Sequence, residues 1–435
     1  MSSDLLGVGS SRRFAHFQRE LTPAILAILA STIGGFQDVR SAPSHGGSGE
    51  NWVGTWSMSP MPANALPDGE NVGFTNQTIR EIAHISIGGH QLRVRLSNAY
   101  GKGPVRVGTA HVALHTQGSS IDPRSDRVLR FNGETAVVIP AGSFVLSDAV
   151  PMDVAPLADL SISLYLPDAS GPLTWHQLAT QTTYISLPGD VAAATDIPGA
   201  ATSSSVYLLA GIEVIAPEAT GAVVALGDSI TDGYGSTPDA ARRWPDYLSR
   251  RLAGSSKHAG MAVLNQGISG NRLLHDVIGP KALARFDRDV LAQPGVTHII
   301  VLEGINDIGL PGYLQRPAEA VSSDDLISAL DELIERAHSR GLRIYGATLT
   351  PFEQSGEPYY SAEGEAKRQA LNTWIRTRAP FDAVIDFDRV LRDPEHPTHL
   401  SPAFDCGDHL HPNDAGYEAM AASIDLGLLQ TAARR

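Results

Sequence analysis

Four short polar blocks of this chain carry residue types that together could perform nucleophilic catalysis. The first is Gly227-Asp228-Ser229, which follows the apolar run Val223 to Leu226. That run reads as a short, fully buried strand, and Gly227 removes the Cβ that would obstruct a sharp turn. Ser229 then sits at the carboxyl end of a strand, where open α/β sheets hold their ligands. A hydroxyl exposed on a tight strand-to-helix turn is a common nucleophile. It is not the elbow of the α/β-hydrolases, because the chain contains no G-x-S-x-G. Taken alone, a Ser after Asp is as easily a turn or helix-capping residue.

The other three blocks remove that ambiguity by their order. Asn265-Gln266-Gly267-Ile268-Ser269-Gly270-Asn271 follows the apolar run Ala262 to Leu264. Gly304-Ile305-Asn306-Asp307 follows His298 to Leu302, and Asp408-His409-Leu410-His411-Pro412 lies just before the terminal helix. Each block falls where a parallel strand or an ordered connection would end, so all four could converge on one sheet edge. On these residues the chain resembles the GDSL, or SGNH, family of serine esterases and acylhydrolases. The family's four signature residues match Ser229, Gly270, Asn306 and His411, in the right order, and the resemblance covers about residues 222–428.

A serine hydroxyl is a weak nucleophile until a base takes its proton. His411 is the candidate base, since imidazole titrates near neutral pH. Asp408 stands three residues earlier, as in the family's D-x-x-H block. It would accept from Nδ1, fix the tautomer that leaves Nε2 free for Ser229, and stabilise the imidazolium. The resemblance implies an oxyanion hole built from the backbone N–H of Ser229, the backbone N–H of Gly270 and the side-chain amide of Asn306. Losing one such donor typically costs about 2.7–4 kcal/mol in the barrier.

Neighbouring residues receive lesser roles. Asp228 and Asp307 read as structural hydrogen-bond partners, and Thr231 and Asp232 as capping or turn residues. His396, His399, His409 and His411 invite a metal reading, but their spacing matches no helical His pair or Cys/His framework. No metal or other cofactor is expected. Cys406 is the only cysteine, so an intramolecular disulfide is excluded, and it lacks the strand-end context of Ser229.

The whole chain sets the frame. At 435 residues it is long enough for two or three domains, and 42% hydrophobic against 18% charged residues supports a packed globular core. A net charge of −14 argues against nucleic acid and strongly anionic membranes as partners, since both need a basic footprint. Residues 1–50 differ in composition: Arg12-Arg13, an apolar stretch from Leu21 to Phe36, then a Ser/Gly/Pro-rich linker. This fits an export signal of twin-arginine type and a secreted or periplasmic protein. Glu20 and Pro23 speak against it, leaving a disordered leader or a retained anchor as alternatives. No other segment could span a membrane.

From residue 51 to about 217 the period changes to that of strands. Ile79 to Ile87 and Gln91 to Leu96 alternate around Gly88-Gly89-His90 and read as a hairpin. Val105 to Leu114, Ala136 to Ile139, Leu160 to Leu166 and Thr183 to Ser186 continue the series, which predicts an all-β sandwich, jelly-roll-like. The boundary falls in Ala216 to Thr220. From 218 to 435 strands and helices alternate: helices over Arg242 to Leu252, Ser322 to Ser339, Ala362 to Arg378 and Asp414 to about Leu426, strands over Leu342 to Leu349 and Ala383 to Phe387. That predicts a flavodoxin-like three-layer α/β/α SGNH hydrolase domain.

The function expected is a serine esterase acting through an acyl-enzyme on a small-molecule or polysaccharide ester, with short acyl groups such as carbohydrate O-acetyl favoured. Competing readings are a lipase or lysophospholipase, an acyltransferase, and a non-catalytic glycan-binding protein. Trp175, Tyr234 and Trp244 are candidates for stacking on sugar rings. Specificity is expected to lie in the loops at 234–243, 271–288, 307–321 and 351–361.

Overall fold

A computed structural model of the chain describes residues 50–63, 73–217, 220–258 and 260–430. The leader expectations lie outside the described residues. From Asn51 onwards the chain forms one compact unit.

Its first part is built on two larger antiparallel sheets, with two further two-stranded pairings, Val105–Val107 with Val137–Ile139 and Trp175–His176 with Val206–Tyr207. One larger sheet orders Trp52–Ser57, Leu209–Ile215, Gly89–Ser97 and Phe144–Leu146, with Val150–Val154 also paired to Gly89–Ser97. The other orders Ala201–Ser203, Thr183–Ile185, Gln77–His84, Asp159–Leu166, Thr109–Leu114 and Arg127–Val128. Alternation sets the faces: Leu92, Val94 and Leu96 are buried, while Gln91, Arg93 and Arg95 between them are not. The expected all-β region is present, but two of its local details differ.

Gln77–His84 and Gly89–Ser97 do not form a hairpin; they belong to different sheets. The connection crosses from one sheet to the other, pinned by Thr55, whose carbonyl accepts from Ser86 N at 2.9 Å and whose hydroxyl accepts from Ile87 N at 2.9 Å. Val105 to Leu114 is likewise two strands, Val105–Val107 and Thr109–Leu114, in separate sheets.

The second part is a parallel sheet of β1 (Ala222–Gly227), β2 (Ala262–Gly267), β3 (Val296–Leu302), β4 (Arg343–Ala347) and β5 (Ala383–Ile385). Their order is β2-β1-β3-β4-β5, the flavodoxin-like arrangement. The principal helices are α1 (Ser229–Asp232), α2 (Trp244–Ala253), α3 (Ile305–Tyr313), α4 (Ser323–Ser339), α5 (Ala362–Thr377) and α6 (Asp414–Ser423). Helix α4 starts with a reciprocal capping box between Ser322 and Asp325. It buries Leu326, Leu330, Leu333, Ile334 and Ala337, the apolar face legible in its sequence.

Three boundaries move. Helix α6 stops at Ser423, and Gly427 lies in a separate single turn, Leu426–Leu429. The expected loop at 307–321 opens with most of α3. Helix α2 begins at Trp244, with Arg243 and Asp246 bonded across its first turn.

The two parts share one continuous apolar core. Polar contacts line the seam as well. Ser59 Oγ donates to Gln266 Oε1 at 2.6 Å, and Gln266 Nε2 donates to Ser57 Oγ at 2.7 Å. Gly54 N donates to Pro294 O at 2.9 Å, and Thr182 N to Asp239 Oδ1 at 2.6 Å. No helix among the described residues is long and apolar enough to cross a membrane.

Candidate active site

Strand β1 lies between β2 and β3, and its last residue, Gly227, is in register with Gly267 on one side and Leu302 on the other. Chain connections leave in opposite directions from this point, and ligands of such sheets bind in the resulting crevice. Ser229 therefore emerges two residues beyond β1, Gly270 three beyond β2 and Asn306 four beyond β3, all on one sheet edge. Asp228 caps the first turn of α1 by accepting from Ile230 N at 3.0 Å. That bond holds the serine at the helix start.

The fourth block comes from the segment before α6. Ser229 Oγ donates to His411 Nε2 at 2.8 Å, and His411 Nδ1 donates to Asp408 Oδ2 at 2.6 Å. The other Asp408 oxygen accepts the backbone N–H groups of Leu410 and His411, at 3.0 and 2.8 Å. Burial pushes the Asp408 carboxyl up, but His411 beside it and these three hydrogen bonds outweigh that, so it is held well below the usual carboxylate range. It therefore stays an acceptor, as an orienting group must. Asn413 caps α6 through Gly416 N at 3.0 Å, which fixes the segment carrying His411.

The stretch from Ser269 to Leu274 is stapled at both ends. Asp232, on α1, accepts from Ser269 N at 2.9 Å and from Ser269 Oγ at 2.7 Å. Asp307, on α3, accepts from Leu273 N at 2.7 Å and Leu274 N at 3.0 Å. Helix α1, the Gly270 loop and helix α3 are thus tied together by two carboxylates. Gly270 has φ +78°, and a Cβ there would meet Ile278 Cδ1 at 2.5 Å, so glycine is required on both counts. Burial raises the Asp307 carboxyl to about 6 even against these amide bonds, and it raises Asp228 and Glu303 too.

Asn306 Nδ2 is buried and has no hydrogen-bond partner among the described residues. Its Oδ1 accepts from Tyr359 Oη at 3.0 Å. The tyrosine thereby decides which end of the amide faces the crevice. Gly309, one turn on from Asn306, makes room: a Cβ there would lie 2.6 Å from Tyr359 Cζ. Nothing in the sequence singled out Tyr359, which sits in the expected specificity loop at 351–361. Arg285 also carried no signal. Fully buried, it donates to Gly227 O (3.0 Å), Gln266 O (2.7 Å), Asn271 Oδ1 (2.9 Å) and Ser59 Oγ (3.0 Å). It locks the ends of β1 and β2 to each other and to the β-rich part.

Other candidates sort out by position. Asp232 does more than close a turn, since it also accepts from His176 Nε2 at 2.9 Å. Trp244 and Trp175 are buried, which removes them as stacking surfaces, while half-buried Tyr234 packs on the His411 ring at 4.4 Å. His409 pairs with Asp405, and His399 with Glu353. The described group with metal-ligand proximity is Asp405, Cys406 and Asp408, not the histidines, and Asp408 there serves His411. Burial, then the nearby Asp408 charge, pushes the Cys406 thiol up to about 12, unlike a reactive cysteine.

Residues 225–419 match the GDSL-like lipase/acylhydrolase family. This part of the chain is a GDSL acylhydrolase domain. The resemblance read from the four blocks is borne out, and the chain is a carboxylic ester hydrolase. Solved structures similar to it include a lipolytic protein of the G-D-S-L family from Desulfitobacterium hafniense, at 22% identity and TM-score 0.36, covering 47% of this chain and 97% of that one. An α/β hydrolase from the metagenome of Lake Arreo has 24% identity and TM-score 0.37, covering 49% and 95%. An acetyl xylan esterase variant from Geobacillus stearothermophilus has 21% identity and TM-score 0.38, covering 50% and 99%. No curated protein matches the chain.

Proposed function

We propose that this GDSL acylhydrolase cleaves short acyl groups, such as O-acetyl on carbohydrates, by a two-step route through an acyl-enzyme on Ser229. His411 takes the Ser229 proton as Oγ attacks the ester carbonyl, and Asp408 stabilises the imidazolium that forms. The oxyanion is received by Ser229 N–H, Gly270 N–H and Asn306 Nδ2–H. His411 then protonates the leaving alcohol. In the second half it takes a proton from water, which attacks the acyl-enzyme, and it returns that proton to Ser229 Oγ as the ester bond breaks, releasing the acid and regenerating Ser229.

The observation that carries this reading is the unbroken chain Ser229–His411–Asp408, at 2.8 and 2.6 Å, on the edge that also holds Gly270 and Asn306. Tyr359 gives the Asn306 amide its orientation. A short acyl group is favoured by enclosure, since Ser229 is 7% exposed and Asn306 and His411 4% each. Tyr234 beside His411 offers an aromatic face to a sugar alcohol.

A chain-length series of p-nitrophenyl esters, run beside acetylated xylan, tests the substrate. Acetate should turn over fastest, with kcat/KM falling as the acyl chain lengthens, and xylan should release acetate. A maximum at eight carbons or more would replace this reading with a lipase.

A further inference from the structure

We propose that His176, carried by the β-rich part, is a positioning residue for the oxyanion loop: its ring struts Asp232, which in turn holds Ser269 next to Gly270. His176 lies on the two-residue strand Trp175–His176, paired with Val206–Tyr207. That strand is fixed further by Met61, whose N–H donates to Trp175 O at 2.7 Å, and by Pro62 O, which accepts from Trp175 Nε1 at 3.0 Å. The ring is thus held by a rigid frame.

Both ring nitrogens face acceptors. Nδ1 lies 2.9 Å from the carbonyl oxygen of Ser59, and Nε2 lies 2.9 Å from Asp232 Oδ1. A carbonyl cannot donate, and the Asp232 carboxyl already accepts two bonds from Ser269 through its other oxygen. A neutral imidazole would set a lone pair against one of these oxygens. Both nitrogens therefore carry protons, and the ring is an imidazolium paired with the Asp232 carboxylate. Burial alone would lower the pKa of His176, and Arg243 nearby adds to that, but Asp232 and the two bonds outweigh both, so the net direction is upward.

His176 and Asp232 are each about 3% exposed at the side chain, so little water competes for their bond. The charged groups around them are Asp232 itself, Arg243, and Asp246, which is spoken for by Arg243. Removing the imidazolium frees Asp232 Oδ1 in a buried place and lets the carboxylate turn toward Arg243. Ser269 then loses its fixed anchor, and Gly270 N–H with it. The strut acts on the loop and touches neither nucleophile nor base.

This inference rests on the oxyanion role proposed for Gly270, and its test separates the two. On the full chain, 15N-histidine spectra at pH 7.5 should show both ring nitrogens of His176 protonated. That readout needs no activity. His176→Gln should lower kcat about tenfold with KM changed by less than about twofold, because an oxyanion donor acts in the transition state. Thr182→Val, which cuts a different polar contact of the same seam, should lower the melting temperature and leave kcat alone. If His176→Gln does not fold, Ser269→Ala, which removes only one of the bonds to Asp232, should still lower kcat with KM kept. A neutral His176 ring, or wild-type kcat in a folded His176→Gln protein, would overturn the strut. An inactive wild type would instead remove the esterase reading and leave the ring's protonation to be judged by the spectra.

Discussion

The α/β part and the β-rich part differ in how their polar residues are used. In the α/β part Ser229, Gly270 and Asn306 stand within four residues of a strand end, His411 comes from the segment before α6, and these proposed site segments are held by neighbouring carboxylates. Asp228 caps α1, Asp307 staples Leu273 and Leu274, and Asp408 holds His411. In the β-rich part, polar groups close gaps between segments far apart in sequence. Arg80, for example, joins Ser163 Oγ, Ser119 O, Ala192 O and Ala194 O. The α/β part gathers carboxylates around the proposed site beside structural groups such as Arg285, while Arg80 in the β-rich part serves that part's own shape. Where they meet, through Ser57, Ser59 and His176, a structural residue gains leverage over a reactive one.

That contrast can be broken most directly at Ser229. Ser229→Ala should lower hydrolysis of an activated acetyl ester by at least about 10³-fold with the melting temperature nearly unchanged. Arg80→Met should do the reverse: about 2–4 kcal/mol of stability lost, because two buried carbonyls and one part-buried one lose their donor, with kcat kept in the folded fraction. Kinetics and thermal melts on both variants decide it. Substantial esterase activity in Ser229→Ala would end the serine mechanism, and a kcat loss in Arg80→Met would blur the division between the two parts.

The next effect is smaller and lies within the α/β part. Asn306→Ala should reduce kcat by about 10²–10³-fold with little change in KM. Tyr359→Phe keeps the ring that packs on Gly309 but frees the Asn306 amide to rotate, and should reduce kcat about tenfold. In the double variant the tyrosine change should add nothing, because it works only through Asn306. Additive losses would give Tyr359 a separate role, and a shift confined to KM would place Asn306 in substrate binding.

The sequence was most readable where geometry is local. Strands β1, β2 and β3 each end in a polar block, so Ser229, Gly270 and Asn306 could be placed from their flanking runs, whereas His411, in the segment before α6, rested on its spacing from Asp408. The same signals misled at Gly88-Gly89-His90, because a turn between two alternating runs fits a hairpin and a crossing between sheets equally well. The partners that decide are distant: Gln77–His84 pairs with Asp159–Leu166, and Gly89–Ser97 with Leu209–Ile215. Tyr359, Arg285 and His176 escaped for the same reason. Each acts on a residue brought near only by the fold, from a segment with no period or motif of its own.

The smallest effect expected is on stability against pH, and here the two parts can be compared with one substitution each. Glu303 is fully buried between β3 and α3, and neither of its oxygens has a partner among the described residues. Burial, then the nearby Asp228 carboxyl, raises it well above the usual range. Glu81, in the β-rich part, is also raised by burial, but it accepts from Tyr207 N at 2.5 Å, which pulls it back. A carboxyl with a raised folded pKa keeps its proton after the unfolded chain has lost one. Its contribution is therefore greatest at acid pH and declines as pH rises above the unfolded value, near 4, through the folded one. Asp307, at about 6, and Asp228 act in the same direction, and so does His176, whose contribution is lost as pH rises through its raised pKa. Asp408, His115 and His298 have the opposite sign, but the Asp408 window lies below the ordinary aspartate pKa, and the gain from the two histidines, both lowered by burial (His298 to about 4), is complete once pH passes the ordinary histidine value of about 6.5. The melting temperature should accordingly fall from pH 5 to 8. Glu303→Gln should flatten that fall and raise the melting temperature at pH 8, while Glu81→Gln should do so less, since its carboxylate has a backbone donor and stands apart from Asp228 and Asp307. Melts of the three proteins across that range suffice. A flat wild-type profile would show that these carboxyls are solvated, and a larger effect of Glu81→Gln would place the greater electrostatic cost in the β-rich part instead of beside the reaction.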